Sequence, residues 1–147
     1  MYSVLPSSAP TPILNLAPAL VFALPNGVSA GFPSPAEDLG AKRIDLNEIL
    51  IKHPLATYTL RVSGQSMRDA GIDDGDVVLV DRAVKAAHGH IVVAVVDGEF
   101  TIKRLFQRHG RIKLQAANPT YPDIVPGDGQ TIEIWGVVRH CIKPMPV

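Results

Sequence analysis

The sequence predicts a mainly β domain that follows an extended N-terminal arm, and three features of the 147 residues lead to this prediction. Short runs of β-branched and apolar residues recur from residue 57 onwards, with Gly, Asp and Asn turn residues between them. Hydrophobic residues make up 46% of the chain and charged residues 19%, a composition that supports a buried core. No charged residue occurs before Glu37. We therefore place an uncharged arm at residues 1–36 and a β-rich domain at residues 37–147.

Proline dominates the arm, since seven of the 13 prolines lie in the first 35 positions. Proline blocks helix interiors and ladder hydrogen bonds, so we expect the arm to be extended and to form no regular packed element. A secretory signal is a poor match because no Lys or Arg precedes the apolar run Ala19–Leu24. The prolines also disfavour a transmembrane helix.

Two short helices are predicted between the arm and the first strand. Ser34, Pro35 and Glu37 form a capping-box pattern that can start a helix at Ser34. Asp45–Ile51 offers a second helix, which Pro54 ends.

Six strands are predicted after these helices, and close spacing with turn residues between them indicates a curled antiparallel sheet. Asp97-Gly98 is a type I′ hairpin signal between two of them, and the Asp73–Asp76 segment is a turn signal before another. The predicted strands are Thr57–Val62, Val77–Val80, Ile91–Val96, Glu99–Leu105, Ile112–Ala116 and Thr131–Val138.

Charge and cysteine usage exclude several functional classes. Fourteen basic and 14 acidic residues give zero net charge, which argues against nucleic-acid binding through a basic surface. One cysteine, Cys141, excludes an internal disulfide framework and a cysteine-rich metal site. The five histidines show no HExxH spacing, so we expect neither a zinc centre nor another cofactor.

Two residues are candidates for chemistry, each with a simpler alternative. Ser66 follows a predicted strand and Gly64, which allows a sharp turn and presents the hydroxyl; a serine in a turn explains the same pattern. Lys103 lies in a predicted strand, where a solvated edge lysine is the common outcome. If Lys103 points inward, burial lowers its pKa and makes it a usable base.

Several motifs occur in order, and together they resemble the LexA/UmuD-type self-cleaving serine peptidases, which use a Ser–Lys dyad. They span nearly all of residues 30–140: Ala30-Gly31, SGQSM at 63–67, GIDDGDVVLVDR at 71–82, GHIVVAVVDGEFTIKRL at 89–105, LQAANPTYPDI at 114–124 and IWGVV at 134–138. The segment at 43–67 resembles the UmuD-type members most. LexA repressors carry a winged-helix DNA-binding domain, which the uncharged arm cannot form, so we do not expect a repressor.

The resemblance implies a role for each matching residue. Ser66 is implied as the nucleophile and Lys103 as the general base that later protonates the leaving amine. The backbone N–H groups of Ser66 and Met67 are implied as oxyanion donors, and Ala30–Gly31 as the scissile bond. The implied fold is the curled antiparallel sheet of the LexA-like C-terminal peptidase.

The resemblance also implies partners. A RecA filament on single-stranded DNA stimulates cleavage, and the shortened product forms a homodimer that joins the UmuC-type catalytic subunit of an error-prone translesion polymerase in SOS mutagenesis. This implies a cytoplasmic protein with no cofactor, no membrane association and no direct sequence-specific DNA binding. Two alternatives stay open: a non-catalytic dimeric polymerase-binding module with a vestigial site, and a signal-peptidase-like enzyme that cuts other proteins.

Overall fold

The computed structural model describes residues 10–12, 17–24, 27–32, 41–127 and 130–147. These residues form two compact units, one within Met1–Leu14 and His53–Val147 and the other within Asn15–Lys52. The predicted helix start at Ser34 and the predicted boundary after residue 36 fall outside the described residues. Both therefore stay predictions.

The larger unit is a seven-stranded sheet in which every neighbouring pair is antiparallel. Its strands are β1 (Thr11–Pro12), β4 (Thr57–Arg61), β5 (Val77–Asp81), β6 (Ile91–Val96), β7 (Glu99–Arg108), β8 (Arg111–Gln115) and β9 (Ile132–Ile142). Their order across the sheet is β1-β4-β5-β9-β6-β7-β8. Strand β9 thus joins the β4–β5 pair to the β6–β7–β8 meander. The mainly β prediction is confirmed.

Two irregularities in register occur along β9. The pairing of β9 with β5 shifts between Leu79 and Val80, and its pairing with β6 shifts between Val93 and Ala94. Such bulges increase the local twist of a strand. Both fall on β9, so we expect increased local twist along this central strand.

The smaller unit contains a two-stranded antiparallel sheet of β2 (Leu20–Ala23) and β3 (Lys42–Asp45), followed by α1 (Leu46–Leu50). The predicted second helix is confirmed, and Asp45 caps it by accepting a hydrogen bond from the Asn47 N–H. The expectation that the arm forms no regular element is wrong at β1, which pairs with β4, and at β2, which pairs with β3. Strand β1 contains Pro12 but lies at the edge of its sheet, where a proline is tolerated. The β2 stretch contains no proline, so its backbone N–H groups remain available for pairing.

The core of the larger unit comprises two clusters of buried side chains, and β6 contributes to both. Val93 packs in one cluster, whereas its neighbours Val92 and Ala94 pack in the other. Successive side chains of a strand point to opposite faces, so β6 is covered on both sides. This explains its unbroken apolar sequence. No helix in the described ranges is long and apolar enough to cross a membrane.

A buried carboxylate, that of Asp81, holds His53, the first residue of the longer segment of the larger unit, against β5. The Asp81 side chain is 1% exposed and lies 2.6 Å from His53 Nδ1 and 3.1 Å from Arg139 Nη1. Burial raises the pKa of Asp81, but hydrogen bonds from His53, the Ala83 N–H and Arg139 outweigh it and lower the pKa below its ordinary value. The charged form therefore stabilises the fold above that ordinary value, and this stabilisation is lost as the pH falls through the lowered pKa.

Candidate active site

Ser66 lies in a tight loop that follows β4. The chain leaves the sheet at Arg61 and turns at Gly64, whose φ of +92° favours glycine. The Gly64 N–H donates to Asp74 Oδ1 at 2.7 Å, which ties this turn to the predicted turn before β5. Ser66 therefore lies at a corner between a strand and a loop, as its sequence context predicted.

A second segment holds the same loop in place. The Ala117 N–H donates to the Ser66 carbonyl oxygen at 2.8 Å, and the buried Asn118 side chain donates to the Gln65 carbonyl oxygen, also at 2.8 Å. Sequence reasoning missed Asn118 as an individual residue. Its signal was an asparagine before Pro119 within the LQAANPTYPDI motif, but its contact with residue 65 arises only in the folded chain.

Lys103 comes from β7 and its side chain reaches Ser66. Lys103 is only 8% exposed, and its Nζ lies 3.0 Å from Ser66 Oγ. The same Nζ lies 2.8 Å from Thr101 Oγ1 and 3.1 Å from the Ile102 carbonyl oxygen. The structure thus brings together two side chains that are 37 positions apart in the sequence and that were singled out from it.

The environment of Lys103 favours its neutral form. Burial lowers the pKa of Lys103 below its ordinary value, and none of the carboxylates that the structure describes forms a salt bridge with it. A neutral amine has two N–H donors and one lone pair. Thr101 and Ile102 supply acceptors for the two donors, so the lone pair can point at the Ser66 hydroxyl.

Backbone donors lie beside the same hydroxyl. Within the described ranges, the N–H groups of Ser66 and Met67 donate to no backbone or side-chain acceptor. The Met67 side chain is 2% exposed and is part of the core, which fixes the backbone at this point. Two fixed, unused N–H groups beside a serine hydroxyl form an arrangement that can stabilise a developing oxyanion.

A cleft of about 150 Å³ opens at Ser66. Apolar side chains from β4 and β7, and from the loop after β4, supply much of its lining: Leu60, Val62, Met67, Phe100 and Ile102. Such a cleft suits a short, uncharged peptide segment with small side chains.

The Peptidase S24-like family matches residues 23–139, which is most of the chain. The chain belongs to this family. Protein MucA of Escherichia coli is 49% identical over 121 residues, 82% of each chain. Protein ImpA of Escherichia coli is 46% identical over 114 residues, 77% of each chain. The LexA repressor of an Azoarcus species is 39% identical over 131 residues, which are 88% of this chain and 64% of the repressor. The resemblance to LexA/UmuD-type peptidases is confirmed.

The bond predicted to be cut in this S24-like chain lies in the smaller unit. Ala30 and Gly31 are exposed, and the Gly31 N–H donates to Ser29 Oγ at 3.3 Å. They lie in a bend outside β2 and β3. The neighbouring side chains of Val28 and Phe32 are 90% and 91% exposed. Within the described residues, this segment is therefore exposed and belongs to no strand.

Side chains that could bind a metal ion are not clustered in the described residues. Across the ranges that the structure describes, no three His, Cys, Asp or Glu side chains are grouped so that they could hold a metal ion.

Proposed function

We propose that this chain is a serine endopeptidase that cleaves itself between Ala30 and Gly31, with Ser66 as nucleophile and Lys103 as general base. The observation that carries the proposal is the 3.0 Å separation of Ser66 Oγ and Lys103 Nζ, with the lysine buried. Membership of a peptidase family supports the reaction class.

The proposed reaction proceeds through an acyl-enzyme. Neutral Lys103 takes the hydroxyl proton of Ser66 as Oγ attacks the carbonyl carbon of Ala30. The oxyanion of the tetrahedral intermediate accepts hydrogen bonds from the Ser66 and Met67 N–H groups. Protonated Lys103 then donates its proton to the departing amine of Gly31, and the peptide C–N bond breaks. Water hydrolyses the ester, with Lys103 again acting as base.

Attachment of the substrate segment to the enzyme explains how a two-residue catalytic unit is sufficient. A tethered, well-oriented group reaches an effective molarity of about 10⁵–10⁸ M. The arm carries no charge before Glu37, so it can approach a desolvated lysine without bringing an ion pair into the cleft. Ala30 and Gly31 have the smallest side chains available for a narrow cleft.

The biological role follows from the resemblance and is part of the same proposal. A RecA filament on single-stranded DNA stimulates cleavage by favouring the conformation in which the arm occupies the cleft. The shortened homodimer then serves as accessory subunit of a UmuC-type translesion polymerase during SOS mutagenesis in the cytoplasm. Similarity to proteins MucA and ImpA, at 49% and 46% identity, supports placing the chain with the UmuD-type members.

The intact mass of the purified protein after incubation near pH 7 and near pH 10 tests the peptidase proposal. Because only neutral Lys103 can take the Ser66 proton, and the neutral fraction of an amine rises with pH, we expect faster cleavage at the higher pH. The expected product begins at Gly31. Ser66→Ala and Lys103→Ala should give none, whereas Ser63→Ala, which changes another serine lining the cleft, should still cleave.

Two other outcomes distinguish the alternatives. No fragment at either pH, and none after adding RecA, single-stranded DNA and nucleotide, would leave the non-catalytic polymerase-binding module as the better hypothesis. Cleavage of an added peptide by a chain whose own Ala30–Gly31 bond stays intact would instead favour the signal-peptidase-like enzyme.

A further inference from the structure

Charge is unevenly distributed along the larger unit, although the whole chain has zero net charge. Residues 100–122 contain five Lys or Arg residues and no Asp or Glu. One of the five is Lys103, which is buried beside Ser66. The other four lie on the β7–β8 hairpin. Zero net charge argues against a field over the whole surface but allows a local basic surface of this kind.

Strand register places these four cations on one face of the hairpin. Arg108 pairs with Arg111, Phe106 with Lys113 and Arg104 with Gln115. Paired residues share a face and alternate residues of a strand return to it, so all six lie on the same side. The opposite side presents Leu105 and Leu114, which are buried in the core. We call the first side the basic face: Arg104, Phe106, Arg108, Arg111, Lys113 and Gln115.

The outer end of the basic face is unneutralised. Arg108 and Arg111 are exposed and, within the described residues, form no salt bridge. Like charges placed directly opposite each other on a strand pair are destabilising. A hairpin that keeps such a pair next to its turn, with no carboxylate to relieve the repulsion, violates a local rule, and such violations occur at functional sites.

Further inward, an aromatic ring lies between the cations. Lys113 Nζ lies 4.9 Å from the centre of the Phe106 ring and 3.3 Å from Asp123 Oδ2. His88 contacts the Phe106 ring edge to face, with centroids 5.1 Å apart. Arg104 is held more firmly, because it donates to the Gly89 carbonyl oxygen at 3.1 Å. The Lys113–Asp123 ion pair is partly exposed, with side chains 34% and 40% exposed, so a phosphate can compete for Lys113. Arg108, Arg111 and Lys113 are therefore the cations available to a ligand.

We propose that the basic face binds single-stranded nucleic acid through its phosphates, without sequence preference. Cations about 5 Å apart across the hairpin and about 7 Å apart along it provide a row of phosphate contacts. An aromatic ring between them provides a surface for a base, the combination that sequence-independent single-strand binders use. An acidic peptide would satisfy the charges but would make no use of the ring. This activity is separate from the proposed cleavage at Ser66.

Fluorescence anisotropy with a labelled oligothymidylate of about 20 nucleotides tests the proposal. Three phosphate contacts predict a slope of log affinity against log salt of about −2, at roughly 0.7 per contact. Affinity should then fall about 18-fold between about 50 and 200 mM salt. The variant R108A/R111A keeps one contact, so its affinity should fall only about 3-fold over the same range, from a weaker starting value.

A matched variant separates the basic face from net charge. The double variant Lys42→Ala/Arg43→Ala also removes two positive charges, but from β3 in the smaller unit. It should bind oligothymidylate like the wild type. Self-cleavage near pH 10 serves as a folding check for both variants. If the wild type and both variants fail to cleave although all three are folded by circular dichroism, the cleavage proposal fails while the binding result still stands.

Three results would overturn the inference. The first is an equal loss of binding in both double variants, which would mean that only net charge matters. The second is competition by polyglutamate or by phosphatidylglycerol vesicles as effective as by unlabelled oligothymidylate, which would replace the nucleic acid by a general polyanion or a membrane. The third is no binding at about 50 mM salt.

Discussion

Replacing Lys103 by methionine should abolish cleavage and at the same time stabilise the fold near neutral pH. The lysine is 8% exposed, and among the described residues no carboxylate forms an ion pair with it. Methionine has a similar length and carries no charge to desolvate. The comparison is best made in a Ser66→Ala background, because the chain then stays intact throughout the measurement.

The expected gain follows from the cost of burying the ammonium group. Desolvating one ion in a protein costs several kcal/mol, and the two hydrogen bonds left to Thr101 and Ile102, at about 1.5 kcal/mol each, offset only about 3 kcal/mol of it. We expect methionine to stabilise the fold by about 1–2 kcal/mol near pH 7. At about 3 °C per kcal/mol, Tm should rise by about 3–6 °C.

The stability gained with methionine should depend on pH, and the lowered pKa of Lys103 sets the direction of that dependence. The pKa of Lys103 is lowered in the folded state from 10.5, its value in the unfolded chain, so folding disfavours the charged form. The destabilisation is complete below the folded pKa and disappears as the pH rises to about 10.5. The advantage of methionine should therefore shrink by up to about 1.4 kcal/mol per pH unit in that window.

Urea unfolding at several pH values between about 7 and 10.5 measures both effects. A methionine variant less stable than its parent near pH 7 would show that Lys103 is not held against a desolvation cost. An advantage that stays constant with pH would attribute the gain to packing and would refute the argument from charge.

Two further substitutions test other parts of the structure. Thr101→Val removes an acceptor that orients Lys103 Nζ, so self-cleavage should slow about tenfold, a loss of about 1.4 kcal/mol, while Thr101→Ser stays close to wild type in a mass-spectrometric time course. Gly136→Ala places a Cβ 2.6 Å from Val80 Cγ1 and should lower the free energy of unfolding by about 1–3 kcal/mol in urea, whereas Gly127→Ala, with its nearest atom at 3.8 Å, should have little effect. An unchanged cleavage rate in the first case, or an unchanged urea midpoint in the second, would contradict the geometry described here.

Local sequence signals predicted the sheet well where side-chain pattern and turn chemistry agreed. The type I′ signal at Asp97-Gly98 is confirmed, with φ values of 49° and 83°, and it joins β6 to β7. The far ends of β7 and β9 were missed. Charged residues such as Arg108 and Arg139 interrupt the apolar pattern there. The strands nevertheless continue, β7 as far as Arg108 and β9 as far as Ile142, with partly or fully exposed side chains.

The candidate site was predictable in part. Ser66 and Lys103 followed from motifs in the sequence. Alternate residues of a strand share a face, so the position of Thr101, two residues before Lys103, was open to prediction as well. The hydrogen bond from Asn118 to the Gln65 carbonyl oxygen spans 53 positions, and no local pattern carries that information. Pairing of β2 with β3 was also missed, because the density of prolines hid a proline-free stretch between Pro18 and Pro25.

The place of β9 in the sheet determines when, during synthesis of the chain, Ser66 and Lys103 can come together. Ser66 follows β4 and Lys103 lies on β7, and the sheet connects these two strands only through β5, β9 and β6. Among the strands that the structure describes, β9 is also the last to leave the ribosome. Until Ile132–Ile142 is synthesised and inserted, the two halves of the sheet have no ladder between them. A nascent chain therefore exposes the Ala30–Gly31 bond long before it can assemble the pair of side chains proposed to cut it.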